Sequence, residues 1–223
     1  MIRRLLLVRH GITAWNREGR FQGHLDPPLA EDGREEARLL AARLVADGPR
    51  PDRILSSPLE RAAGTARVLA GALRLSLDLD ARLMEIGQGE WEGRTHEELA
   101  ETDAERYAAW RARAGEAQPP GAETIEQALD RVRSALDELL AAEPSETVCL
   151  VTHGGIARLA ARHLLGLEPR RAWAMDVDNA SLSVLARVED GPSWRVETWN
   201  DTAHLLGRRP QHVDESEGEP LAL

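Results

Sequence analysis

The sequence contains no lysine: all 28 of its basic residues are arginine. A catalytic lysine, a Schiff base and a lysine-based phosphate loop are therefore excluded. The single cysteine, Cys149, cannot form an internal disulfide. Set among Val148, Leu150 and Val151, it reads as a buried small hydrophobe. No apolar stretch approaches the roughly 20 residues of a membrane span. Leu5–Val8 is too short for a signal-peptide core. These absences predict a cytoplasmic protein with no membrane partner. Metal-ligand spacings such as His-x-x-x-His, His-x-His and Asp-x-His are also missing, so no metal is expected. A net charge of −10 excludes the broad basic surface that nucleic-acid binding requires. It still permits a few arginines focused in one cleft.

What is present is a chain of 223 residues, enough for one large core. Apolar, strand-like runs recur at Arg4–Arg9, Arg53–Ser56, Thr147–Thr152, Leu182–Val188 and Trp194–Trp199. Between them lie stretches with helical spacing: Glu31–Ala46, Leu59–Leu73, Thr124–Ala142 and Ile156–Leu165. Strands alternating with helices predict an α/β fold, with a mostly parallel sheet and helices on both faces. The expected organisation is a single domain over 1–207 with a helical lid insertion at about 88–121. An acidic, flexible tail is expected over 208–223. Edge strands of such a sheet could pair two copies into a homodimer.

Five places carry reactive side chains where a strand or an apolar run gives way to a loop. They are Arg9-His10-Gly11, the loop Asn16–Gly23, Ser56-Ser57-Pro58-Leu59-Glu60-Arg61, Met84-Glu85-Ile86 and Thr152-His153-Gly154-Gly155. Ser57-Pro58 can open a helix, with Arg61 in its first turn. In a parallel sheet such ends converge. The set then holds two imidazoles, two arginines and a carboxyl group, which suits phosphoryl transfer from a monoester. Arginine forks bind phosphate oxygens. One neutral imidazole can attack phosphorus, and a second, as the cation, can stabilise the oxygens. A carboxyl group among apolar neighbours should hold its proton to higher pH and so serve a poor alkoxide leaving group. Glycine after each histidine should let backbone N–H groups approach the phosphate. His96, His163, His204 and His212 attract no role.

Leu7-Val8-Arg9-His10-Gly11-x-Thr13 resembles the signature of the histidine phosphatase superfamily, which includes cofactor-dependent phosphoglycerate mutases. The resemblance extends through Phe21-Gln22-Gly23, Ser56-Ser57-Pro58-x-x-Arg61-Ala62, Glu85-x-Gly87-x-Gly89-x-Trp91-Glu92-Gly93, Pro120-Gly121-x-Glu123-Thr124 and Val151-Thr152-His153-Gly154-Gly155. It implies a three-layer α/β/α sandwich of the phosphoglycerate mutase type. By the same resemblance His10 is the residue phosphorylated during turnover, Arg9, Arg61 and His153 form the phosphate pocket, and Glu85 exchanges the proton. Asn16, Gln22, Gly23 and Gly154 become further phosphate or substrate contacts, with Thr13 and His24 as additional candidates. The substrate class is a small phosphorylated metabolite. The mutases carry a Tyr soon after the glutamate and a later pair of basic residues. Here Ile86–Gly93 has no Tyr, and Arg111 and Arg113 are not adjacent. The run resembles the phosphatase branch. A mutase remains the alternative, and a non-catalytic phosphate-binding regulator the second alternative.

Overall fold

The computed structural model describes residues 2–112, 117–141, 146–188 and 193–206. The expected acidic tail over 208–223 lies outside the described residues.

The chain runs β1 (Arg4–Arg9), α1 (Ala14–Arg17), α2 (Glu31–Ala46), β2 (Arg53–Ser56), α3 (Glu60–Leu73), β3 (Leu77–Leu79), α4 (His96–Thr102) and α5 (Ala104–Ala112). It continues with α6 (Ile125–Ala141), β4 (Thr147–Thr152), α7 (Gly154–Leu165), α8 (Pro169–Trp173), β5 (Leu182–Arg187) and β6 (Trp194–Asp201). The six strands form one sheet in the order β3-β2-β4-β1-β5-β6. β4 pairs parallel with both β1 and β2, and β2 parallel with β3. β5 runs antiparallel to both of its neighbours.

The apolar runs follow from a sheet covered on both faces. Side chains alternate across a strand. Leu5, Leu7, Val148 and Leu150 therefore enter the core beneath α6 and α7, and Leu6, Val8, Cys149 and Val151 the core beneath α2 and α3. Two helical layers enclose the sheet, as the α/β/α expectation required. Burial pushes the Cys149 thiol up to about 12, so it is packing and not a nucleophile.

Three local expectations need correction. β3 gave no signal because it is short and two of its three residues are exposed. α7 begins at Gly154 rather than Ile156, with His153 as its cap residue. α3 is opened by Leu59 and not by Ser57-Pro58, although Arg61 does fall in its first turn.

Phe21, Trp91, Leu99, Tyr107 and Trp110 form a third, aromatic cluster. Trp91 and Phe21 meet edge to face at 5.4 Å. The Trp91 indole N–H donates to Asp103. This cluster ties the segment after Glu85 to the loop after α1, at the carboxyl ends of β1, β2 and β4.

Candidate active site

β1 and β4 end side by side, with Arg9 opposite Thr152 in their register. The next residue on each strand is a histidine. The His10 N–H bonds the Thr152 carbonyl at 2.9 Å, and the two imidazoles meet at 5.1 Å between ring centroids. β2 ends one strand further along, and the Ser57 N–H bonds the Val151 carbonyl. Three adjacent parallel strand ends thus bring His10, His153 and the start of α3 together beside one cleft, which His153 itself does not line. The cleft is lined by Arg9, His10, Asn16, Gly19, Arg20, Gln22, Arg61, Glu85 and His96.

His10 is 3% exposed. Its Nδ1 lies 2.8 Å from the Gly11 carbonyl. A carbonyl only accepts, so Nδ1 carries the proton and Nε2 keeps its lone pair. Burial first, then the charges of Arg61 and Arg9, hold the His10 pKa well below 6.5. The same causes, with His10 itself, hold His153 down. A cationic second imidazole is the expectation from sequence, but this setting keeps His153 neutral. Its Nε2 faces the Ser57 hydroxyl at 2.9 Å, and its Nδ1 is buried with no hydrogen-bond partner. With Ser57 donating to Nε2, Nδ1 presents an N–H to an incoming anion.

Arg61 is fully buried. Its Nη1 and Nη2 donate to the carbonyls of Leu25 and Gly23 at 2.7 Å, while its Nε is buried without a partner. Gly23 turns with φ +48°, where a side chain would be strained and would also strike Glu92. Burial depresses the Arg61 pKa to about 10, so it stays charged at neutral pH. Arg9 anchors its Nη1 on the Val177 carbonyl. Buried donors without acceptors are costly. Arg61 Nε and His153 Nδ1 define where an acceptor-rich anion belongs.

Glu85 is 5% exposed. It sits after a 3₁₀ turn (Ala81–Leu83), not at a strand end. Its carboxylate accepts the Ile86 N–H at 2.9 Å and the Gly155 N–H at 3.3 Å. A Cβ on Gly155 would stand 2.6 Å from Glu85 Oε1, so the second glycine of the His-Gly-Gly run makes room for the carboxylate. The Glu85 carbonyl is held from two sides, by Arg131 Nη2 at 3.0 Å and His24 Nε2 at 2.8 Å. Arg131 also grips the Arg82 and Met84 carbonyls. It is fixed in turn by Glu123, whose carboxyl group it keeps ionised to lower pH against the opposing effect of burial.

The predicted residues therefore separate into layers. Asn16 and Gln22 line the cleft. Thr13 is fully buried and does not line it. Its hydroxyl caps α1 through the Asn16 N–H and bonds Asn16 Oδ1 and Gln22 Oε1, fixing both side chains. His24 props Glu85 from behind. Gly154 opens α7. Gly11 corrects the expectation of a glycine opened toward phosphate: its N–H donates to Thr65, and a Cβ there would overlap the Gly33 carbonyl in α2. No role is expected from sequence for Arg131, Gly19, Arg20 or His96, and Ser57 is expected only to open a helix.

The family model that describes the histidine phosphatase superfamily (branch 1) matches residues 5–202. Phosphoserine phosphatase 1 of Hydrogenobacter thermophilus is 36% identical over 182 residues, covering 82% of this chain and 85% of that protein. The glucosyl-3-phosphoglycerate phosphatase of Mycolicibacterium vanbaalenii is 36% identical over 222 residues, covering 92% and 97%. The solved structure of a mycobacterial glucosyl-3-phosphoglycerate phosphatase with VO3 superposes with a TM-score of 0.80 at 36% identity, covering 89% of this chain and 98% of that one. This chain belongs to the histidine phosphatase superfamily, branch 1. The relatives named here are phosphatases, in accord with phosphomonoester hydrolysis.

Proposed function

We propose that the protein hydrolyses small phosphomonoesters through a phosphohistidine at His10, without a metal ion. The observation that carries this reading is the Nδ1–H bond of His10 to Gly11, which leaves Nε2 as a lone-pair nucleophile in a cleft shared with Arg9, Arg61 and Glu85. Nε2 forms a bond to phosphorus while the bond to the alcohol oxygen breaks. Arg9, the free Arg61 Nε and the His153 Nδ1–H hold the phosphoryl oxygens as charge spreads over them. The Nδ1–H bond to Gly11 steadies the charge that develops on the ring. Glu85 gives its proton to the leaving oxygen. Glu85 then takes a proton from water, whose oxygen displaces Nε2 and releases inorganic phosphate.

Gly19, Arg20 and His96 complete the lining of the cleft and are the candidates to meet the alcohol. The relatives act on substrates as different as phosphoserine and glucosyl-3-phosphoglycerate, so the substrate is proposed as a small phosphorylated metabolite. Among the described residues no helix is long and apolar enough to cross a membrane. A cytoplasmic setting accords with the single buried thiol.

The test is to incubate chelator-treated protein with phosphoserine and with 3-phosphoglycerate, the latter with and without 2,3-bisphosphoglycerate. Inorganic phosphate and 2-phosphoglycerate are followed together. Phosphate release without isomerisation is expected. Bisphosphate-dependent 2-phosphoglycerate with little free phosphate would make the protein a mutase.

A further inference from the structure

The chemistry above leaves one buried charge unused. Arg158 lies four residues beyond Gly154 on α7 and is 3% exposed. Its Nε donates to the Met175 carbonyl at 2.7 Å, and its guanidinium stands 5.8 Å from the Trp173 ring centroid. Its Nη1 is buried with no hydrogen-bond partner. Such a cation is expensive to bury unless an anion compensates it. Burial and then the charge of Arg9 lower its pKa to about 10, so it remains charged at neutral pH. Glu85, Asp176 and Asp178 oppose that shift.

The geometry says where the compensating anion belongs. A Cβ on Gly154 would stand 3.3 Å from Arg158 Nη1, 3.7 Å from Arg9 Nε and 3.8 Å from Arg9 Cζ. The two guanidiniums therefore pack around the same missing side chain at the mouth of α7. They are also tied to one segment: Arg9 Nη1 donates to the Val177 carbonyl at 2.6 Å, two residues beyond the Met175 carbonyl that Arg158 holds. Two like charges drawn this close repel each other, and an anion seated against Arg9 relieves both.

We propose that Arg158 is a positioning residue of the phosphate site: it clamps the Met175–Val177 segment that aims Arg9, and it supplies a positive charge behind Arg9 that a phosphoryl dianion compensates. This rests on the reading of the cleft as a phosphate site. Arg158 does not line the cleft, so it acts through Arg9. Its loss should weaken phosphate binding more than it slows the transfer step.

The experiment uses inorganic phosphate as the probe. Its inhibition constant and its stabilisation of the folded protein are measured for wild type, Arg158→Met, Arg158→Gln and Arg158→Lys, alongside kcat and KM. We expect Met and Gln to raise both KM and the phosphate inhibition constant by about tenfold, the scale of one indirect charge–charge interaction, with kcat changed by less. Lysine keeps the charge and a donor for Met175, and should recover most of the loss. Should Arg158→Met fail to fold, the Gln and Lys variants decide. Folded variants with unchanged phosphate inhibition would overturn the proposal. So would a lysine variant as impaired as the glutamine one, since shape and not charge would then matter. If wild type neither releases phosphate from monoesters nor is stabilised by inorganic phosphate, the reading of the cleft itself fails.

Discussion

At the scale of single residues, roles follow from which nitrogen or oxygen each side chain has left to offer. His10 offers Nε2, so His10→Ala should abolish turnover, with a fall of at least about 10⁴-fold in kcat and an unchanged fold by circular dichroism. Glu85→Gln keeps the shape and one of the two N–H partners of Glu85, and it carries no transferable proton. We expect about 10²- to 10⁴-fold slower hydrolysis of alkyl phosphates. A much smaller loss is expected for p-nitrophenyl phosphate, whose leaving group needs no proton. Equal losses on both substrates would mean that Glu85 only supports the cleft. Arg9, His10, Arg61, Glu85 and His153 could be picked out in the sequence as one candidate set because each sits in a local pattern beside a strand or apolar run. The roles of Ser57 and Arg131 could not, because their partners lie far along the chain. Arg131 meets Glu85 across 46 positions and Ser57 meets His153 across 96. No spacing within a motif encodes such a meeting.

At the scale of elements, glycine decides how closely the catalytic loop approaches its support. Gly11 and Gly33 face each other where the loop after β1 crosses the start of α2. Neither has a φ that demands glycine, so the requirement is space alone. Gly33→Ala should therefore force loop and helix apart at about 3 kcal/mol. At about 2–4 °C per kcal/mol, that lowers the melting temperature by roughly 6–12 °C. Calorimetry checks it, and an unchanged melting temperature would show that the contact yields. The apolar strands were readable because both faces of the sheet are covered, leaving runs without polar interruption. β3 was not, since two of its three residues face solvent. α7 was read two residues short because helical periodicity is carried by apolar side chains, and Gly154 and Gly155 have none.

At the scale of the whole molecule, burial and neighbouring arginines hold both site histidines neutral, and pH should expose this. His10 and His153 are held well below the ordinary 6.5 by burial and by neighbouring arginines. In the unfolded chain both take up protons as pH falls through 6.5, while in the folded protein they do so only at lower pH. The unfolded state therefore binds more protons in that window, and stability falls as the solution is acidified below 6.5. Each histidine contributes up to about 1.4 kcal/mol per pH unit. A double His10→Ala, His153→Ala protein should lose this slope in urea titrations between neutral and mildly acidic pH. Activity should likewise keep its acid limb below 6.5, because the Nε2 lone pair survives there. The α/β/α layering was legible in the alternation of elements. The neutral state of His153 was not, because it arises from burial beside Arg61 and Arg9, which only the assembled fold creates. A phosphoryl group carried on His10 is sought by rapid quenching of turnover in alkali, where phosphohistidine survives, followed by peptide mass spectrometry. A phosphate on His10 Nε2 that builds up within the first turnover and is absent from His10→Ala is expected. Steady release of inorganic phosphate with no phosphorylated His10, or with the label on another residue, would contradict the account.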